Sequence, residues 1–309
     1  RFTRGWEMSW PAYLELHRTG ELQRRAQGAE RLLEACRVCP RECLAQRLQG
    51  ETGVCGVADK AMVASYGPHF GEEAPLVGLG GSGTIFLAHC NLCCVFCQNF
   101  DISQSDEGRI VSAMELAQMM LDLQRTGCHN INFVTPTHQV PQILRALPIA
   151  IEGGLQVPLV YNCGGYESQE TLRLLDGVFD IYMPDFKYGD ANVARRYSKV
   201  ENYPAIAKAA FREMHRQVGD LVMDGRGIAR RGLLVRHLVL PSNLAGTAGV
   251  VQFLADLSKD TYVNIMTQYR PCYRAHEYPA LAGRPTRAEF EEAFRLAREA
   301  GLHRVDGTC

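Results

Sequence analysis

The sequence predicts an α/β protein. It is expected to form an incomplete six-unit β/α barrel with a C-terminal helix over residues 81–309, behind a small cysteine-rich lobe and its connection over residues 1–80. Three observations predict this. Six short β-rich runs recur at intervals of about 30 residues, helical patterns lie between them, and one cysteine group precedes the first run while a second follows it directly.

In chain order, a helix is expected over about Glu21 to Ala35, and the Gly/Pro-rich stretch at 67–83 reads as the connection to the barrel. The strands follow as GTIFLAH (83–89), NINFVT (130–135), VPLVYN (157–162), VFDIYMP (178–184), LLVRHLVL (233–240) and YVNIMTQ (262–268). Ser112 to Glu115 is a capping-box signature that opens a helix through about Arg125, and Thr286 to Glu289 opens another near the C-terminus. Such alternation implies parallel strands joined by right-handed crossovers. A complete eight-stranded barrel and a flat doubly wound sheet stay open as alternatives. The complete barrel typically needs about 250 residues. In each architecture ligands lie at the C-terminal strand ends, where HC, TPTH, NCGG, PDFK, LPSN and QYRPC fall.

Charge excludes little but is informative. With 33 basic and 34 acidic residues the net charge is −1, which argues against general nucleic-acid binding. The basic run from Arg226 to His237 reads as solvated surface. No apolar run reaches the roughly 20 residues that span a bilayer, so no membrane association is expected and the chain reads as cytoplasmic.

In a reducing compartment, clustered cysteines are metal ligands before they are disulfides. Eight of the twelve fall into two groups, Cys36/Cys39/Cys43/Cys55 and Cys90/Cys93/Cys94/Cys97, while Cys128, Cys163, Cys272 and Cys309 stand alone. Adjacent Cys93 and Cys94 project differently from the backbone, which disfavours four ligands on one ion. Among the possible triples, Cys90-x3-Cys94-x2-Cys97 is the notable one. Three thiolates on a 4Fe-4S cluster leave one iron open to a non-protein ligand.

That C-x3-C-x2-C pattern at the end of a first barrel strand resembles the radical S-adenosylmethionine (SAM) superfamily. More narrowly, GSGTIFLAHCNLCCVFCQNFDIS is similar to the pyruvate formate-lyase activating enzyme-like group, and the likeness runs from CRVCPREC to MTQYRPCYRA. The resemblance implies a 4Fe-4S cluster on Cys90, Cys94 and Cys97, SAM on its open iron, and a reductant such as flavodoxin or ferredoxin. It places Phe96 near the adenine, Asp185 and Lys187 beside SAM, and Arg236 near the SAM carboxylate. Asn162 and Gln268 are further candidates on the rim. The family's Gly-Gly-Glu is replaced by Thr135-Pro-Thr137-His138, whose hydroxyls and carbonyl are the candidate substitutes; His138 reads as a structural hydrogen bonder. The implied chemistry is hydrogen abstraction from an unidentified substrate, which could be a glycyl radical enzyme, a peptide or a metabolite. The alternative is a non-catalytic zinc or iron-sulfur module.

Cys93 is then a spare that packs as a small hydrophobe, and Cys272 lies on the reactive rim. The spacing of Cys36, Cys39, Cys43 and Cys55 suits either zinc or an auxiliary 4Fe-4S cluster. His69, Glu72 and Glu73 read as linker residues, with substrate contact as the second reading.

Overall fold

Period-two apolar runs generate the strands observed in the computed structural model, which describes residues 10–105 and 107–307. They are β1 (Ala61–His69), β2 (Ser82–Leu87), β3 (Arg109–Val111), β4 (Ile131–Val134), β5 (Leu159–Cys163), β6 (Ile181–Pro184), β7 (Val222–Met223), β8 (Ala229–Leu238), β9 (Tyr262–Met266) and β10 (Arg304–Asp306). They form a mixed sheet in the order β10-β9-β8-β6-β5-β4-β2-β1-β3, with β7 alongside β8. Strands β2, β4, β5, β6, β8, β9 and β10 run parallel. Antiparallel pairing is confined to β1, β3 and β7.

From β2 to β10 the order follows the chain without reversal, so the sheet lacks the switch point of a doubly wound fold. Nor is it a closed eight-stranded barrel, because β3 and β10 end the ladder among the described residues. Alternation along each strand separates two faces. Ile131, Phe133, Leu159, Tyr161, Val235 and Val263 join the large core shared with the covering helices, whereas Val160, Ile181, Met183 and Leu234 form a second cluster on the other face.

Leu76 belongs to that second cluster and is fully buried. The stretch expected as a connection is therefore structural. His69 ends β1 opposite Ser82 of β2, Glu73 reaches Asn264 of β9 through a hydrogen bond of 2.9 Å, and Leu76 fills the face between them. The boundary drawn at residue 80 is thus crossed by one sheet, since β1 lies before it and β2 after it. Glycines and two prolines in 67–83 hid this, because they read as breakers while the pairing partner lay further along the chain.

Both capping boxes form as the sequence indicates, at Ser112–Glu115 and Thr286–Glu289. The N-terminal helix Glu21–Arg31 turns Leu22, Ala26 and Ala29 into the large core and packs on helix Val140–Glu152.

Candidate functional site

Strand β2 delivers the second cysteine group to the C-terminal rim. The chain leaves the strand through His89 and Cys93, both at positive φ (67° and 55°), which coils the loop tightly enough to bring alternate side chains inward. The sulfurs then meet different partners. Cys90 Sγ accepts from the Leu92 N–H at 3.3 Å, Cys94 Sγ accepts from the Ser198 hydroxyl at 2.9 Å, and Cys97 Sγ lies 3.1 Å from the Ser103 hydroxyl. Cys93 instead donates to the Cys90 carbonyl at 3.5 Å, as a thiol does.

Cys90, Cys94 and Cys97 face one inner chamber of about 120 Å³ with Thr135, Asn162, Asp185, Lys187 and Arg236. An outer chamber of about 210 Å³ shares Cys94, Cys97, Asp185, Lys187 and Arg236, and adds Phe96, Leu238, Met266 and Gln268. Burial raises the pKa of the Cys90 and Cys97 thiols, and the neighbouring sulfurs raise it further. Ionising them together therefore calls for a compensating cation.

The polar rim is one hydrogen-bonded network. Lys187 Nζ donates to Asp185 Oδ2 at 2.6 Å. Arg236 donates from Nε to Asp185 Oδ1 at 2.7 Å and from Nη2 to Asn162 Oδ1 at 2.6 Å. Burial would raise the Asp185 pKa, but Arg236 and Lys187 outweigh it and hold the carboxyl below its usual range. Behind Arg236 stand Glu72 at 3.6 Å and Glu73 at 4.0 Å. Burial raises the Glu72 pKa, with Arg236 opposing. Gly165 makes the approach of the two strand tips possible: it sits at φ +76°, where a Cβ would stand 2.6 Å from the Asp185 carbonyl oxygen.

Among the described residues, no three His, Cys, Asp or Glu side chains are already drawn together as a metal-holding group. The donor chemistry of the inner chamber nevertheless fits a sulfur-ligated centre. Three sulfurs share its wall, each beside an N–H or O–H that can stabilise a thiolate, and the chamber exceeds the room of a single ion.

The N-terminal cysteines surround a much smaller cavity of about 10 Å³, lined also by Arg41, Arg47, Asn91 and His138. Cys43 lies over Gly53, where a Cβ would stand 2.2 Å from its sulfur. Burial pushes the Cys39 thiol up to about 12. Arg41 donates to the carbonyls of Asn91, Leu92, Ser198 and Lys199, so this lobe grips the loop between Cys90 and Cys94.

No protein-family model matches the chain. Two similar proteins come from Methanocaldococcus jannaschii. "Uncharacterized protein MJ0674" is 33% identical over 299 residues, spanning 94% of this chain and 82% of its own length. The chain belongs to the family of MJ0674. "Uncharacterized protein MJ0808" is more distant, 24% identical over 294 residues that span 87% of this chain and 79% of the relative.

For this member of the MJ0674 family, the structure gathers Phe96, Thr135, Asn162, Asp185, Lys187, Arg236 and Gln268 around the two chambers. Thr137 is not with them. It is buried, and its hydroxyl donates to Glu167 at 2.7 Å, because the chain turns into a 3-10 helix after Thr135. His138 is fully buried with Nε2 on the Ala88 carbonyl at 2.9 Å; burial lowers its pKa to about 3, so the ring is neutral. The glycines after Asn162 admit close neighbours within the chain: Gly165 meets the Asp185 carbonyl, and Gly164, which lines the inner chamber, meets Leu92 of the cysteine loop. Cys272 is half-buried and outside both linings, and Cys309 lies outside the described residues. Three participants escaped sequence reasoning. Ser198 and Ser103 carry no motif, and Cys163, which stands alone in the sequence, lines the inner chamber.

Proposed function

We propose that the protein is a radical SAM enzyme of the pyruvate formate-lyase activating enzyme-like group, with its open arc of parallel strands acting as a partial (β/α)6 barrel. The observation that carries this reading is the contrast within the cysteine loop: Cys90, Cys94 and Cys97 share the wall of one chamber with Asp185, Lys187 and Arg236, while Cys93 lies outside that lining with its thiol on the Cys90 carbonyl. In this reading Cys90, Cys94 and Cys97 would hold a 4Fe-4S cluster, and the residues lining the two chambers would bind SAM. A cluster held there would supply one-electron reductive cleavage of SAM, the chemistry needed for hydrogen abstraction from a substrate.

The chain's own residues do the rest. The Lys187 ammonium is suited to a carboxylate, and Asp185 accepts from an ammonium or hydroxyl. Arg236 is held by Asp185 and Asn162, with Nη1 facing Glu72, so its guanidinium keeps a fixed place in the wall of both chambers. Thr135 and Gln268 add polar contacts, Phe96 gives a ring face, and Leu238, Leu240 and Met266 exclude water from the outer chamber. A flavodoxin or ferredoxin is the proposed reductant, and the proposed site of action is the cytoplasm. The substrate is a glycyl radical enzyme, a peptide or a metabolite.

The test is 5′-deoxyadenosine formation from SAM by anaerobically reconstituted, reduced protein. Formation that survives Cys93→Ala and vanishes with Cys94→Ala is the expected result. No formation by the parent, with metal still bound at both cysteine groups, would overturn it and leave a non-catalytic metal-binding module.

A further inference from the structure

The N-terminal cysteine cavity carries an inference independent of SAM chemistry. Three observations meet there. The first is size. About 10 Å³ stands open among these side chains, against about 120 Å³ in the chamber of Cys90, Cys94 and Cys97. The smaller space is a closer match to a single ion than to an eight-atom iron-sulfur cube.

The second observation is an unpartnered nitrogen. His138 is fully buried and lines this cavity. Its Nε2 lies 2.9 Å from the Ala88 carbonyl, which can only accept, so the ring proton is on Nε2. Nδ1 is then a lone pair without a hydrogen-bond partner, on a residue that lines the cavity together with the four cysteines, Arg41, Arg47 and Asn91. This nitrogen adds to the donor character of the cavity, while the four sulfurs alone complete a tetrahedral set.

The third is a buried positive charge. Arg47 is 0% exposed, and its guanidinium bonds only the carbonyls of Ala58 and His138 and, at 3.7 Å, Cys36 Sγ. None of these partners is an anion, and a buried unpaired guanidinium is costly. Four thiolates on one divalent cation carry a net −2, which supplies the missing counter-charge and accepts the N–H···S bond from Arg47.

We infer that Cys36, Cys39, Cys43 and Cys55 bind one tetrahedral, thiolate-seeking divalent cation of the zinc class, not a second iron-sulfur cluster. The cysteine side chains turn inward by rotation about χ1 to close around it, and each releases its proton to solvent on binding. The site is a fastener. Arg41 lies between ligands Cys39 and Cys43 and holds four carbonyls of the Cys90–Cys94 loop and of residues 198–199, so the ion fixes the lobe against that loop.

The experiment is metal analysis of the full chain, before and after anaerobic reconstitution with iron and sulfide. About one zinc per chain is expected in both states, with about four irons added by reconstitution. Zinc persists in Cys94→Ala while iron is lost, and zinc is lost in the paired Cys36→Ser, Cys55→Ser variant. Should that variant not fold, cobalt(II) exchange into the parent gives the same answer: thiolate-to-cobalt absorption saturating at about one cobalt per chain. A cluster that remains in Cys94→Ala overturns the inference, as does zinc that survives loss of Cys36 and Cys55, or a parent with no zinc and no cobalt signal. Zinc content is read without SAM, so a protein that holds zinc but forms no 5′-deoxyadenosine would refute the proposed function alone.

Discussion

Cys93 and Cys94 are neighbours in sequence, yet one thiol donates to a carbonyl and the other accepts from Ser198. The difference comes from the positive φ at Cys93, which turns its side chain away from the chamber. Arg236 shows a comparable dependence on geometry. Its guanidinium spans Asp185 and Asn162 at once, and a lysine has no fork with which to do so. Arg236→Lys keeps the charge but frees both partners, so SAM affinity of the reconstituted protein is expected to fall about 10-fold, equivalent to about 1.4 kcal/mol. Equilibrium binding of SAM measures it, and unchanged affinity would remove Arg236 from the site.

Elements were legible where their signal was local. Six parallel strands and two capped helices follow from runs and caps in the sequence, and each lies within a few residues of its expected place. Strands β3, β7 and β10 have two or three residues, too few for alternation to register. Strand β1 and the Glu72–Leu76 segment were hidden for another reason: their partners are Ser82, Arg236, Asn264 and the strand residues beneath them, all supplied by the fold. If this segment fills the sheet face, Leu76→Ala leaves a cavity and destabilises the chain by about 3 kcal/mol in a denaturant titration. A change under about 0.5 kcal/mol, as at ordinary surface positions, would return the segment to a mere linker.

At the scale of the whole molecule, the fold imposes a pH dependence through buried carboxyls. Burial raises Glu167 from 4.5 to about 7, although Thr137 and Tyr161 donate to it at 2.7 and 2.8 Å. The folded chain therefore holds this proton more tightly than the unfolded chain. Its contribution to stability is full below the unfolded value of 4.5 and is lost as pH rises through about 7. Burial moves Asp180 the same way, from 3.8 to about 6. Thermal denaturation across this range should show Glu167→Gln with a flatter profile than the parent, the difference reaching roughly 3 kcal/mol at its upper end. Parallel profiles would mean that Glu167 does not titrate there.

The sequence by itself determined the α/β alternation, the strand tips and the grouping of cysteines, because alternation, caps and ligand spacing are properties of a few consecutive residues. The resemblance carried by its motifs also marked Asp185, Lys187 and Arg236. Only the tertiary structure decided which sulfurs receive donors, since Ser198 lies 104 positions from Cys94. It alone turned Thr137 toward Glu167 and away from the chambers, and brought Glu72 and Glu73 behind Arg236. Burial, charge pairing and cavity size are sums over elements distant in the chain, and no local pattern encodes them.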